Sequence, residues 1–144
     1  MRQYRRLKQT NVRDIIFRPR IVTKDSEGVP VVSWGDPIIC RGEIWPATSE
    51  RQIQEYGDRV SGVQNVHIEG DYGLTNVSGV LTLTRADGST IHLGDGVHVY
   101  TEYEETTIDI SGPVTVRTEP DYQVLSIREA DPLLLEIEVR YGQA

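Results

Sequence analysis

The sequence has one cysteine, Cys40, one phenylalanine, Phe17, and three histidines. A lone cysteine cannot close an internal disulfide, so nothing argues for an oxidising compartment and the fold must rest on its core. No cysteine or second histidine stands at zinc-finger spacing. There is no Gly-x-Ser-x-Gly elbow and no Gly-x-x-x-x-Gly-Lys-Ser/Thr loop, so a strained nucleophile and a phosphate cradle are both missing. No run approaches the ~20 apolar residues of a membrane helix. Residues 1–12 are charged and lack the apolar stretch of a secretory leader, which predicts synthesis in the cytoplasm. These absences predict a protein that is not an enzyme, with no cofactor, no metal and no membrane partner.

Excess positive charge is lacking too. Lys and Arg number 15 against 22 Asp and Glu, a net charge of −7. A surface that grips DNA needs clustered cations to displace counterions, so specific DNA binding is not expected. The cations that exist are uneven. Arg2, Arg5, Arg6, Lys8, Arg13, Arg18 and Arg20 crowd the N-terminus, while Glu102, Glu104, Glu105, Asp109, Glu119 and Asp121 lie late in the chain. Arg2, Arg5, Arg6 and Lys8 are the candidate docking arm, which either meets an acidic neighbour or is a solvated tail. The expected organisation is a flexible basic arm over 1–12 and a single β-barrel domain over 13–144.

What the chain has in plenty is two-residue alternation, the signature of strands. Leu133, Leu135, Ile137, Val139 and Tyr141 share one face of a terminal strand, with Leu134, Glu136, Glu138 and Arg140 on the other. Residues 122–128 form its hairpin partner. Residues 80–85 and 90–93 flank Asp87-Gly88, a strong hairpin signal because a tight primed turn needs positive φ. Strands are also expected over 97–101, 106–110, 114–117, 29–33, 38–45 and 63–69. One more over 14–23 is interrupted by Pro19, which points to an edge or a bulge. Many short strands with Gly and Pro turns predict an all-β fold, a small barrel or sandwich with long loops.

One segment departs from this pattern. Ser49 stands as an N-cap with Gln52 three residues on, a capping-box pattern, and Gly57 is placed to end a helix. Ile53 and Tyr56 fall on one helical face. The segment is a short helix or a loop. His67, His92 and His98 each alternate with apolar neighbours and are expected at the surface. Cys40 alternates with Ile38 and Ile44, as a small core residue does. Glu102-Tyr-Glu-Glu105 lacks the spaced acidic loop of a calcium site and is expected to be a solvated face. Trp34 and Trp45 are core pieces or interface anchors, or else the platform of a carbohydrate-binding β-module.

The stretches Ser26-Glu-Gly-Val-Pro-Val-Val-Ser-Trp34, Arg41-Gly-Glu-Ile-Trp-Pro-Ala-Thr-Ser-Glu50 and Val66-His-Ile-Glu-Gly-Asp-Tyr72, with the closing hairpin 122–141, carry a resemblance. Together they resemble the head–tail joining proteins of long-tailed bacteriophages, the stopper or head-closure proteins of the virion neck. The resemblance implies a small β-barrel with long loops, made in the host cytoplasm. It implies a homo-oligomeric ring under the portal and adaptor proteins that closes the DNA channel after packaging. Tail proteins would dock below, and DNA would be retained or passed without specific recognition. Another tail-completion or tail-terminator component fits the same pattern. On this reading the channel loop and intersubunit contacts are expected at Trp45, Pro46, Ser49, Glu50, Ile53, Tyr56, Gly57 and Gly62. For Ile53 and Tyr56 the alternative is packing against their own barrel.

Overall fold

A computed structural model describes residues 2–3, 12–129 and 133–140. In chain order the elements are β1 (Arg2–Gln3), β2 (Arg13–Arg18), β3 (Arg20–Lys24), β4 (Pro30–Trp34), β5 (Ile38–Pro46), α1 (Glu50–Tyr56) and β6 (Val63–Ile68). They continue with β7 (Asp71–Val77), β8 (Val80–Arg85), β9 (Thr90–Ile91), β10 (Gly96–His98), β11 (Glu104–Asp109), β12 (Gly112–Arg117), β13 (Tyr122–Arg128) and β14 (Leu133–Val139). A 3-10 run, Gly57–Gly62, follows α1 directly.

Six strands close a barrel in the order β10-β13-β14-β6-β5-β2, and β10 returns to β2 through Gly96–Arg18, Val97–Phe17 and His98–Ile16. The fold is all-β as expected, and of the expected alternatives it is the barrel rather than the sandwich, with the 49–57 segment a short helix rather than a loop. Inward positions of the barrel strands supply the core: Ile15 and Phe17 from β2, Val66 and Ile68 from β6, Leu133, Leu135 and Ile137 from β14, all fully buried. Each such side chain contributes ~1.5–3 kcal/mol by leaving water. Strands β5 and β6 approach closely at Gly42, where a Cβ would stand 2.3 Å from the His67 carbonyl oxygen. Only glycine fits that approach.

Three connections leave the barrel between adjacent antiparallel strands. Between β2 and β5 stands the hairpin β3–β4, and between β10 and β13 stands β11–β12; each forms a separate two-stranded sheet. Between β5 and β6 runs α1 with its 3-10 extension. Strands β7, β8 and β9 lie in the chain between β6 and β10, which are not barrel neighbours; with β1 from the N-terminal end they make the four-stranded sheet β1-β7-β8-β9, whose Leu83 and Ile91 plug into the core.

Several boundaries differ from expectation for identifiable reasons. The run 14–23 is two strands in two different sheets, because Pro19 lies where the chain leaves the barrel for the first hairpin. Strand β7 was not legible as a strand. Its partner β8 pairs with it through a turn at Ser78-Gly79, both at positive φ, with Asn76 Oδ1 accepting the Gly79 N–H at 2.8 Å. The expected pairing of β8 with β9 across Asp87-Gly88 is present as well. Strand β10 stops at His98, since the Asp121 carboxylate accepts the Val99 and Tyr100 N–H groups at 2.8 and 2.9 Å.

Candidate functional site

Two regions built on the barrel carry chemistry beyond core packing: the α1 segment, and the roots of the two hairpins.

Helix α1 begins as its capping box predicts. Ser49 Oγ accepts the Gln52 N–H at 3.2 Å, and the Gln52 side chain accepts the Ser49 N–H at 3.4 Å. The helix then docks through polar groups rather than apolar ones. Glu136 of β14 is fully buried. Its carboxylate accepts from Ser126 Oγ (2.6 Å), Arg128 Nε (2.6 Å), Gln52 Nε2 (2.7 Å), Tyr56 Oη (3.0 Å) and Arg51 Nη2 (3.2 Å). Burial alone would raise its pKa, but the bonds from Ser126, Gln52, Arg128 and Tyr56 hold it down at about 2. The same pairing raises the Arg128 pKa. Two residues on, Glu138 accepts a bidentate fork from Arg59 at 2.8 and 2.9 Å. The second face of the last strand, Glu136 and Glu138, is therefore covered by 49–59 instead of facing water.

Among the candidate residues, Ser49 caps the helix and Tyr56 reaches Glu136. Ile53 points elsewhere and remains 51% exposed. Ile53 and Tyr56 do not act as one apolar face, because Gln52 and Tyr56, four apart, are the pair drawn to the buried carboxylate. Gly57 caps the helix with φ 58°, and Gly62 closes the 3-10 run. Glu50 is exposed in the first turn. Trp45 lies edge-on to His67, ring centroids 4.3 Å apart, and Pro46 ends β5 opposite Gln64. Of the docking arm, Arg2 lies in β1 opposite Tyr72; Arg5, Arg6 and Lys8 lie outside the described residues.

The hairpin roots meet at Arg18, which is 4% exposed. Its Nε donates to the Gly35 carbonyl (2.8 Å), Nη2 to Trp34 (3.0 Å) and Nη1 to Thr118 (3.0 Å). The guanidinium also lies 4.8 Å from the centroid of the Tyr103 ring. One side chain thus ties the end of β4 and the residue after β12 to the barrel. By sequence Arg18 is one cation of a basic run; only the pairing of β2 with both neighbours reveals its role. His98 corrects an expectation as well. It is buried rather than at the surface, because β10 is covered on both sides, by the core and by the root around Tyr103. Its Nδ1 lies 2.8 Å from Thr101 Oγ1, Nε2 has no partner among the described residues, and burial lowers its pKa.

Beyond these roots the hairpins stand in solvent. Val22, Val31 and Val32 on the first, and Ile108, Ile110 and Val116 on the second, are 40% to fully exposed. Glu102, Glu104 and Glu105 are exposed, as expected of a solvated acidic face. Trp34 does not offer a flat open platform, since Arg140 stacks 4.5 Å from its ring centroid. Cys40 is buried, and burial pushes its thiol pKa up. Beside it a cleft of about 590 Å³ is lined by Arg41, Glu69, Tyr72 and Arg85. Among the described residues no cluster of three or more His, Cys, Asp or Glu side chains is arranged to hold a metal, and no helix is long and apolar enough to cross a membrane. No family model, curated protein or solved structure matches this chain.

Proposed function

We propose that this chain is a structural subunit of a phage virion neck, assembling as a ring beneath the portal and adaptor, closing the DNA channel and receiving the tail. The observation that carries the reading is the pair of two-stranded hairpins, which expose valines and isoleucines on a closed barrel. A two-stranded hairpin is marginal alone in water. Exposed apolar patches mark surfaces that meet other proteins. The sequence resemblance of residues 26–72 and 122–141 to head–tail joining proteins gives the partner class. In this reading the segment Pro46–Gly62 faces the channel while held on the barrel, presenting Glu50 and Asp58 to the lumen. Carboxylates there repel the DNA backbone, as a conduit requires.

The test is native mass spectrometry of the purified chain, alone and with tailless, DNA-filled heads. Addition of a fixed number of copies per head is expected. A chain that never binds heads overturns the neck assignment.

A further inference from the structure

The two hairpins carry stripes that match in charge and spacing. On β3–β4 the cross-strand pairs Arg20–Trp34, Val22–Val32 and Lys24–Pro30 share one face. On β11–β12 the pairs Glu105–Val116, Thr107–Val114 and Asp109–Gly112 share one face. Both stripes place two like charges at i and i+4 of one strand, about 13 Å apart. Both put valine between or beside those charges. The cations belong to one hairpin and the carboxylates to the other.

These charges are exposed, and Arg20, Lys24, Glu105 and Asp109 make no ion pair among the described residues. Asp109 accepts the N–H of Ser111 in its own turn, at 2.7 Å. The opposite face of β11–β12 behaves differently: there Arg117 lies 3.9 Å from Glu104 and 3.8 Å from Asp36. Among the described residues the Glu105–Asp109 face of this hairpin keeps its charge without an ion pair. Within one chain the two hairpins form separate sheets with no strand pairing between them.

We propose that the Arg20–Val22–Lys24 stripe of one copy docks on the Glu105–Thr107–Asp109 stripe of a second copy. Each pair of cations then faces a pair of carboxylates at equal spacing, and the valines between them leave water. Two different surfaces meet, so the contact is head-to-tail and each added copy presents the next free stripe until the ring closes. This deepens the ring reading above and rests on it for closure.

The test uses full-length chains: Arg20→Glu with Lys24→Glu, Glu105→Lys with Asp109→Lys, and all four changes together. Assembly is followed by native mass spectrometry and sedimentation, alone and on tailless heads. Each reversal alone brings like charges together and is expected to weaken self-assembly about tenfold. The four-fold variant, and an equal mixture of the two reversed chains, are expected to recover it. Recovery in the mixture also shows that neither chain is misfolded. Rings that form equally well from all variants overturn the stripe contact and leave the neck reading standing. Assembly that stops at a dimer and is sensitive to the reversals keeps the contact and overturns the ring. A wild-type chain that remains monomeric, free and on heads, overturns both.

Discussion

The α1 segment and the two hairpins are all inserted between neighbouring antiparallel barrel strands, yet they end in opposite conditions. The α1 segment folds back, and its Gln52, Tyr56 and Arg59 side chains engage carboxylates of β14. The hairpins are held at the root, where Arg18 donates to both and Arg140 stacks on Trp34, and keep their outer apolar side chains in water. The difference lies in where the polar partners sit. A buried carboxylate on the barrel wall demands donors, and the nearest insertion supplies them. Among the described residues no buried carboxylate faces the hairpins beyond their bases, and their faces stay exposed.

The comparison breaks most sharply at Glu136. Replacement Glu136→Ala takes the shared buried acceptor from Arg128, Gln52 and Tyr56, leaving Arg128 only Glu55 and Gln52 only Asn65, and is expected to cost about 3–5 kcal/mol in denaturant unfolding. Amide exchange should rise across 50–56 while the hairpin roots stay protected. Unchanged protection of α1 would mean that the carboxylate does not hold it.

Acid should act on the same group more gently. Glu136 sits at about 2 when folded, against ~4.3 in an unfolded chain. With the folded pKa depressed, its stabilisation is complete above ~4.3 and is lost as pH falls toward 2, up to about 3 kcal/mol in all. Protection of α1 measured between pH 7 and 5 should therefore be flat, with loss below pH ~4. A decline already at pH 6 would point to another group.

Next comes Arg18→Met, which removes three donors from the carbonyls of Trp34, Gly35 and Thr118. A loss of about 2 kcal/mol is expected, with faster exchange at both hairpin roots and none at α1. The smallest effect belongs to the hairpin faces. Ile108→Thr, on an 85% exposed side chain, should change monomer stability by less than about 0.5 kcal/mol. A larger loss in thermal unfolding would show that the face is already covered within the chain.

Much of the barrel was legible because period-two alternation follows directly from one-sided burial, as in β13, β14 and β5. The capping box of Ser49 and Gln52 was legible for the same reason, since it depends only on near neighbours. The destination of α1 was not. Its apolar pair Ile53 and Tyr56 invited a hydrophobic reading, whereas the deciding partner lies some 80 residues away at Glu136. The signal was the pair Glu136 and Glu138 alternating with Leu135, Ile137 and Val139 in β14, which looks like any solvated face until something covers it. Arg18 and His98 were hidden likewise: their burial is made by segments from distant parts of the chain.

The order of strands around the barrel has one more consequence. It divides into two units of three strands, β2-β5-β6 and β10-β13-β14, each with its hairpin between the first strand and the second. Within a unit each barrel strand pairs with the next barrel strand of the chain; strand pairing joins the units along two seams, β2 with β10 and β6 with β14. In kinetic terms each unit can zip up locally and early, but it has two bare edges until the other arrives. Closing the seams spans most of the chain and carries the larger loop entropy, so barrel closure is expected to be the slow, cooperative step of folding.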